Sequence, residues 1–423
     1  MKPFKKYVLK NGLRIILVPE PRSLAVTALV LVEAGSKYEN KKINGISHFL
    51  EHLCFKGTSK RPTPLMIASE LESIGAVFSA FTSLELTGYF AKVSSDKINQ
   101  ALDVISDIYI DSIFDEKELE REKGVIMEEI NMDEDNPMKK VQEIFEELLY
   151  GDQPAGWSIA GTKEIIRSLD RRVVIDYRRA HYVPQATAVV VAGAFNEAKM
   201  LKEIKKCFGG ISEGGKTNKI KVKEAQISPN AAIHFKESDQ THLVLGFRAF
   251  DMFDKRRHAL AVLSKIIGGG MGSRLFQKIR GELGAAYYIY SEEFLLTDHG
   301  FLAVSAGVDN TKVKKVIGAI LDEFRKIKSA PVSPEELRRA KSHITGKLMI
   351  ELETSDAVAG FYGQQEIFKE KIITPKEAIK KIEAVTAGDI LNVAKDIIND
   401  KGLNLALIGP FKESKEFESV LKL

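Results

Sequence analysis

At 423 residues the chain is too long for one ordinary core, which points to two or three domains or to one internally duplicated architecture. With 44% hydrophobic and 28% charged residues it has the composition of a soluble globular protein. The formal net charge of +4 is small, and 62 Lys and Arg are interspersed with 58 Asp and Glu, so a nucleic-acid-binding role gains little support.

The basic N-terminus, Met1 to Lys10, runs into strand-like residues, without the short apolar core and small-residue cleavage site of a secretory signal. Leu24 to Val32, the longest apolar stretch near the start, falls well short of the roughly 20 residues of a membrane span. No membrane span and a cytoplasmic location are therefore expected. Tyr7 to Pro19 reads as two strands joined at Asn11-Gly12, both tolerant of positive φ, and a third strand covers Leu24 to Ala34. Gly45 opens a helix over Ile46 to Phe55, with apolar residues at 46, 49, 50 and 53. A second amphipathic helix, Leu65 to Ile74, follows Pro62 and Pro64 and closes at Gly75. Strands at Val77 to Thr82 and Thr87 to Val93 precede a helix over Lys97 to Tyr109 and one long charged helix from about Glu116 to Leu149. Antiparallel strands and helices in alternating groups give an α+β class. Cys54 and Cys207 are too few for a disulfide framework, lack metal-ligand spacing and read as inert buried residues.

After Cys207 comes FGGISEGGKTNKIKVKEAQIS, rich in Gly, Lys and Ser, which divides the chain into residues 1–212, a linker at 213–227, and residues 228–423. The halves share an order: a strand, an Asp at a helix start, an amphipathic helix, an acidic cap and a second helix containing Glu-Leu-x-Arg. Aligning Leu119 with Leu337 puts Arg121 on Arg339 and Lys123 on Lys341. Two homologous domains from internal duplication, each a mainly antiparallel sheet packed with helices, are expected.

His48-Phe49-Leu50-Glu51-His52 lies within the first helix, so the two histidines project from one face about a turn apart and can chelate one zinc ion. Glu51 can reach an attacking water without having to bind the metal. In a chain with eight histidines this pattern arises by chance on the order of once in a hundred sequences. A catalytic zinc needs a third protein ligand. The long charged helix offers Glu122, Glu128 and Glu129 among apolar residues. Glu122 and Glu129 share a face, with Glu128 about 100° away, and spacing does not choose between Glu128 and Glu129. In the second half Ala340 stands at the position of Glu122 and Lys347 at that of Glu129, with no second H-x-x-E-H, which confines the metal chemistry to the first half.

GISHFLEHLCFKGT followed by VIMEEI resembles the pitrilysin-type (inverzincin) zinc metallopeptidases, and the likeness spans nearly the whole chain. The resemblance implies one zinc per chain held by His48, His52 and Glu129, with Glu51 as general base and Glu122 supporting the site without binding the metal. GGGMGSRLFQKIRGELGAAY, Gly268 to Tyr287, is similar to the family's C-terminal segment in which an Arg and a Tyr seven residues later grip the substrate. It implies catalytic and substrate-binding roles for Arg280 and Tyr287, a guanidinium and a phenol able to orient a peptide carbonyl. Ser79, Ala80 and Phe81, with Thr82 and Glu85, resemble the edge strand on which the family lays its substrate as an added strand. Ser79 stands where the family usually has Asn, and its shorter side chain cannot make the same amide contacts. Tyr182 and Pro184 sit in a family-like HYVP segment with a packing role. The function implied is a zinc metalloendopeptidase that cleaves peptides or extended protein segments in a chamber formed by paired subunits, a homodimer or a heterodimer with a homologous subunit. The alternative is a non-catalytic scaffold or partner subunit of the same fold.

Overall fold

In the computed structural model, which describes residues 3–413 and 415–423, the hairpin at Asn11-Gly12 is present. β1 (Lys5–Val8) pairs antiparallel with β2 (Arg14–Pro19), and Gly12 turns the chain at φ 91°. β3 (Ala25–Val32), α1 (Ile46–Cys54), α2 (Pro64–Ser73), β4 (Val77–Thr82), β5 (Thr87–Ser94) and α3 (Ile98–Ile110) follow. The long charged helix is two helices, α4 (Glu116–Asp135) and α5 (Pro137–Tyr150). Pro137 lacks the N–H that would continue α4, and the Asn136 side chain accepts from the backbone of Met138 and Lys139 to start α5. Two helices, α6 (Lys163–Ser168) and α7 (Arg171–His181), lead to β6 (Thr187–Gly193) and α8 (Glu197–Phe208). The second half runs β7 (Asn230–Phe235), β8 (Gln240–Ala249), α9 (Arg257–Gly268), a π-helical stretch Phe276–Glu282, β9 (Ala286–Leu295) and β10 (Gly300–Asp309). It continues through α10 (Val313–Ser329), α11 (Pro334–Glu351), α12 (Ser355–Ile367), α13 (Pro375–Glu383), α14 (Ala387–Ile397) and β11 (Leu403–Gly409). Among the described residues no helix is long and apolar enough to cross a membrane. Both cysteines are free; Cys54 is buried, but Cys207 is only half-buried, because it lies on the partly exposed side of α8.

The fold is α+β, with two compact units. The first takes Met1–Asn131, Ser158–Ile220 and Ile350–Thr374; the second takes Met132–Trp157, Lys221–Met349 and Pro375–Leu423. The sheet of the first unit has the order β1-β2-β6-β3-β5-β4, antiparallel except between β2 and β6. That of the second has the order β7-β11-β8-β10-β9, antiparallel except between β7 and β11. The sequence β3-α1-α2-β4-β5-α3-α4 thus has its counterpart in β8-α9-π-helical stretch-β9-β10-α10-α11.

One face of the first sheet packs Val30, Val32 and Tyr89 against Phe49 and Leu53 of α1 and Leu102 and Ile105 of α3. On the other face Leu29, Leu31 and Val190 meet Val358, Ala359 and Tyr362 of α12, a helix from late in the chain. The second unit mirrors this: Val244, Phe301 and Ala406 of its sheet are covered by Val141, Phe145 and Leu149 of α5, a helix from the first half. Each sheet is therefore buried on both faces, which explains why every residue of the central strands β6 and β11 is buried. Each such buried Leu, Val or Phe contributes roughly 1.5–3 kcal/mol.

Candidate metal centre

The helix bearing the His pair is fixed from its N-terminus. Glu39, fully buried, accepts hydrogen bonds from the backbone N–H of Gly45 (2.7 Å) and Ser47 (2.8 Å) and from the Asn44 amide (3.0 Å). A carboxylate there satisfies orphan N–H groups of the first turn and lies at the favourable end of the helix dipole. Gly45 has φ 95°, and a Cβ on it would come within 2.6 Å of the Ala160 carbonyl oxygen, so only glycine fits. Ile46, Phe49, Leu50, Leu53 and Cys54 bury one face of α1 and leave His48, Glu51 and His52 on the other.

That second face meets α4. Nε2 of His48 and Nε2 of His52 each lie 3.6 Å from one carboxylate oxygen of Glu129. Ligand atoms at about 2.0–2.1 Å from a tetrahedral zinc are roughly 3.4 Å apart, so the trio is spaced to hold one ion. Among the described residues these three form the group of His, Cys, Asp and Glu side chains able to do so. Glu128 points away and accepts from the Asn131 amide at 3.3 Å.

Glu122 is buried on the same face of α4, with one oxygen 2.8 Å from His52 Nδ1 and the other 2.6 Å from Lys56 Nζ. Hydrogen bonding at Nδ1 fixes the imidazole tautomer that leaves the Nε2 lone pair facing Glu129. Burial acts to raise the Glu122 carboxyl, but the bonds to His52 and Lys56 outweigh it and hold it below the usual range. For His52 burial acts downward, and it is outweighed by the Glu122 hydrogen bond with the charges of Glu129 and Glu51, so its proton affinity is raised. Glu51 accepts from the Thr82 hydroxyl at 2.6 Å. Burial raises the Glu51 carboxyl, Thr82 and His52 pull it down and Glu129 pushes it up, for a net rise.

Ser79, Ala80 and Phe81 lie on β4, the edge strand of the first sheet. Phe78, Ala80 and Thr82 are half-buried on the face toward α1, while Val77, Ser79 and Phe81 are exposed. The first unit thus brings His48, Glu51, His52, Glu122 and Glu129 together beside the strand that carries Ser79 to Phe81. Arg280 and Tyr287 belong to the second unit: Arg280 is exposed on the π-helical stretch over the Phe276 ring, and Tyr287 is exposed on edge strand β9. Glu85 is buried at the tip between β4 and β5 against Lys37 (2.8 Å) and Lys219. Tyr182 is buried, its hydroxyl 2.9 Å from that of Tyr89, and Pro184 is buried beside it. Two contributors escaped the sequence: Lys56, just past the end of α1, and Glu39, which caps α1 from a preceding loop; Thr82 was named with the edge strand, but its hydroxyl bond to Glu51 was not foreseen.

Two family models match the chain. The one described as Insulinase (Peptidase family M16) covers residues 14–163, and the one described as Peptidase M16 inactive domain covers residues 168–344. The "Uncharacterized zinc protease YmxG" of Bacillus subtilis (strain 168) is 34% identical over 406 residues, spanning 96% of this chain and 98% of that protein. An "Uncharacterized zinc protease" of Rickettsia felis is 35% identical over 408 residues, spanning 95% and 96%. The crystal structure of a protease from Helicobacter pylori superposes with a TM-score of 0.91 at 24% identity, covering 96% of this chain and 99% of that one, a likeness of fold.

Proposed function

Because the chain belongs to the insulinase family of peptidases, family M16, we propose that it is a zinc-dependent endopeptidase with one zinc site per chain. The observation that carries this reading is the convergence of His48, His52 and Glu129 beside a half-buried, hydrogen-bonded Glu51. Two imidazole nitrogens and one carboxylate oxygen, with a buried carboxylate behind one imidazole, form a donor set that fits zinc with a position left open. Zinc held there supplies Lewis acidity toward water and toward a peptide carbonyl.

The chain's own groups do the rest. Glu51 takes the proton of the attacking water and delivers it to the leaving amine, and burial raises its proton affinity above that of an ordinary carboxylate, the direction that favours accepting a proton. Thr82 fixes one Glu51 oxygen and with it the orientation of the carboxylate. Glu122 holds His52 in the required tautomer, and Lys56 balances the Glu122 charge. The free edge of β4 beside the site offers backbone groups to an extended peptide, with Ser79 to Phe81 as the docking segment. This favours peptides and extended protein segments over folded substrates.

Arg280 and Tyr287 are read as substrate-gripping groups for a zinc site in a paired subunit, so that two chains, identical or homologous, enclose the chamber. The test is zinc content with a peptidase assay on an unstructured peptide. We expect about one zinc per chain, and cleavage that stops with a chelator and returns with zinc. A chain that binds no zinc, or cleaves unchanged in chelator, overturns the reading.

A further inference from the structure

Residues 214–219, downstream of α8, lie along the first unit and are tied to it through their side chains and one close approach. Gly214 packs so near Val183 that a Cβ on it would come within 2.9 Å of Val183 Cγ1. Lys216 Nζ reaches the buried carboxylate of Glu33, which also accepts from Arg14 at 3.1 Å. The Thr217 hydroxyl donates to the Ala180 carbonyl at 3.1 Å. Lys219 Nζ reaches Glu85, a carboxylate 1% exposed in the turn between β4 and β5.

At Glu85 these ties meet the edge strand. Its carboxylate is bonded by Lys37 at 2.8 Å as well as by Lys219, and Lys37 is itself fully buried. Burial acts to raise the Glu85 carboxyl, but Lys219 and Lys37 outweigh it with their charges and hydrogen bonds and hold it below the usual range. Glu85 is thus an anion inside the protein, and two ammonium groups compensate its lost hydration. With one of them removed, the carboxylate is under-compensated and regains hydration most readily by opening of the turn. Ser36 and Lys37 donate backbone N–H groups to the carbonyls of Ser83 (3.2 Å) and Leu84 (2.8 Å), which seats the turn on the loop that carries Lys37. Lys219 holds it from a part of the chain more than a hundred residues further on.

β4 runs directly into this turn, ending at Thr82 three residues before Glu85. We propose that Lys219 is a positioning residue: by holding Glu85 together with Lys37 it fixes the turn at Ser83 to Leu86, and with it the free edge of β4 on which an extended peptide is laid. The consequence for substrate rests on the peptidase reading above, whereas the clamp itself is a property of the fold. A peptide that adds as a strand needs the N–H and C=O groups of that edge already aligned, and ordering them on binding would weaken it. The zinc ligands and Glu51 stand on α1 and α4, so the clamp acts on the substrate strand without acting on the metal.

The test compares the full wild-type chain with Lys219→Met, which keeps a side chain of similar length without the ammonium, and with Lys219→Arg, which keeps a cation. Hydrogen exchange at the amides of residues 77–87 should be about tenfold or more faster in Lys219→Met, with exchange in α3 unchanged, and close to wild type in Lys219→Arg. KM for a long unstructured peptide should rise about tenfold in Lys219→Met, with kcat changing less and zinc affinity unaltered, and Lys219→Arg should restore it. A merely structural ion pair would lower the melting temperature and leave local exchange and KM unchanged well below it. Lys219→Gln, which can still donate to Glu85 but carries no charge, should fall between the other two and replaces Lys219→Met if that chain does not fold. Unchanged exchange at residues 77–87, or an unchanged KM in an active chain lacking the ammonium, overturns the proposal. A wild-type chain that does not cleave overturns the peptidase reading instead, and the exchange measurement then decides the clamp by itself.

Discussion

Glu122 Oε1 lies 2.8 Å from His52 Nδ1, inside the protein, and its other oxygen is engaged by Lys56. The bond decides which imidazole nitrogen carries hydrogen, and so which one presents a lone pair. Glu122→Ala removes that control and leaves the Lys56 ammonium without its carboxylate partner. Zinc affinity should fall about 10- to 100-fold, as measured by competition with a chelating dye. An unchanged affinity would show that the ring is held by packing alone.

The same cluster sets a pH dependence. In the metal-free chain His52 binds its proton more tightly than an ordinary imidazole, because Glu122, Glu129 and Glu51 outweigh the effect of burial. Its protonated form contributes stability that is fully present below the ordinary value of 6.5 and is lost as pH rises through the raised folded value. Zinc requires the neutral ring, so zinc and proton compete. Zinc affinity should therefore fall as pH drops through the raised His52 pKa, beginning above the pH at which a free imidazole would titrate. Glu122→Gln, which removes the largest of the raising causes, should move that fall to lower pH. Titrations of zinc affinity at several pH values, from about 5 to 8, check the direction.

Glu39 governs the site from a distance. Its two oxygens accept three N–H donors at the start of α1, and a Gln side chain there would turn an NH₂ toward at least one of them. Glu39→Gln should cost about 1–3 kcal/mol, seen as a lower midpoint in thermal or denaturant unfolding. Because α1 carries both histidines, zinc affinity should fall with it. Unaltered stability would mean that the apolar face of α1 fixes the helix without the cap.

How much of this was legible in the sequence depends on whether the cause is local. His48, Glu51 and His52 could be read because helix geometry alone sets three residues on one face, and the buried positions at 46, 49, 50 and 53 were predicted from the same period. Glu129 could not be separated from Glu128 by spacing; the difference is a rotation of about 100°, which has meaning only once α4 is placed against α1. The break at Asn136-Pro137 was written in the chain, but a continuous charged period hid it. The exchange of α5 and α12 between the units was not written anywhere. Val141, Phe145 and Leu149 announce that α5 has a buried face, but not that it will cover β8, β10 and β11. Lys56 and Thr82 act through single contacts from different elements, which no periodicity encodes.

The ownership of the site gives the last prediction. Glu51→Gln should retain zinc, since Glu51 is not among the three converging ligands, yet lose about 10²-fold or more in peptide cleavage for want of a proton carrier. Arg280→Ala should also bind zinc normally, because Arg280 belongs to the other unit, and should lose activity through substrate orientation. If two chains share each site, a mixture of the inactive variants forms pairs in which one site joins an intact zinc end to an intact Arg280. Random exchange then yields half of the pairs mixed, each with one working site of two, so activity should recover to about a quarter of the wild-type level. Subunit exchange is followed independently with differently tagged chains. Exchange without any recovery would place Glu51 and Arg280 of the same chain in one site, or remove Arg280 from the chemistry altogether.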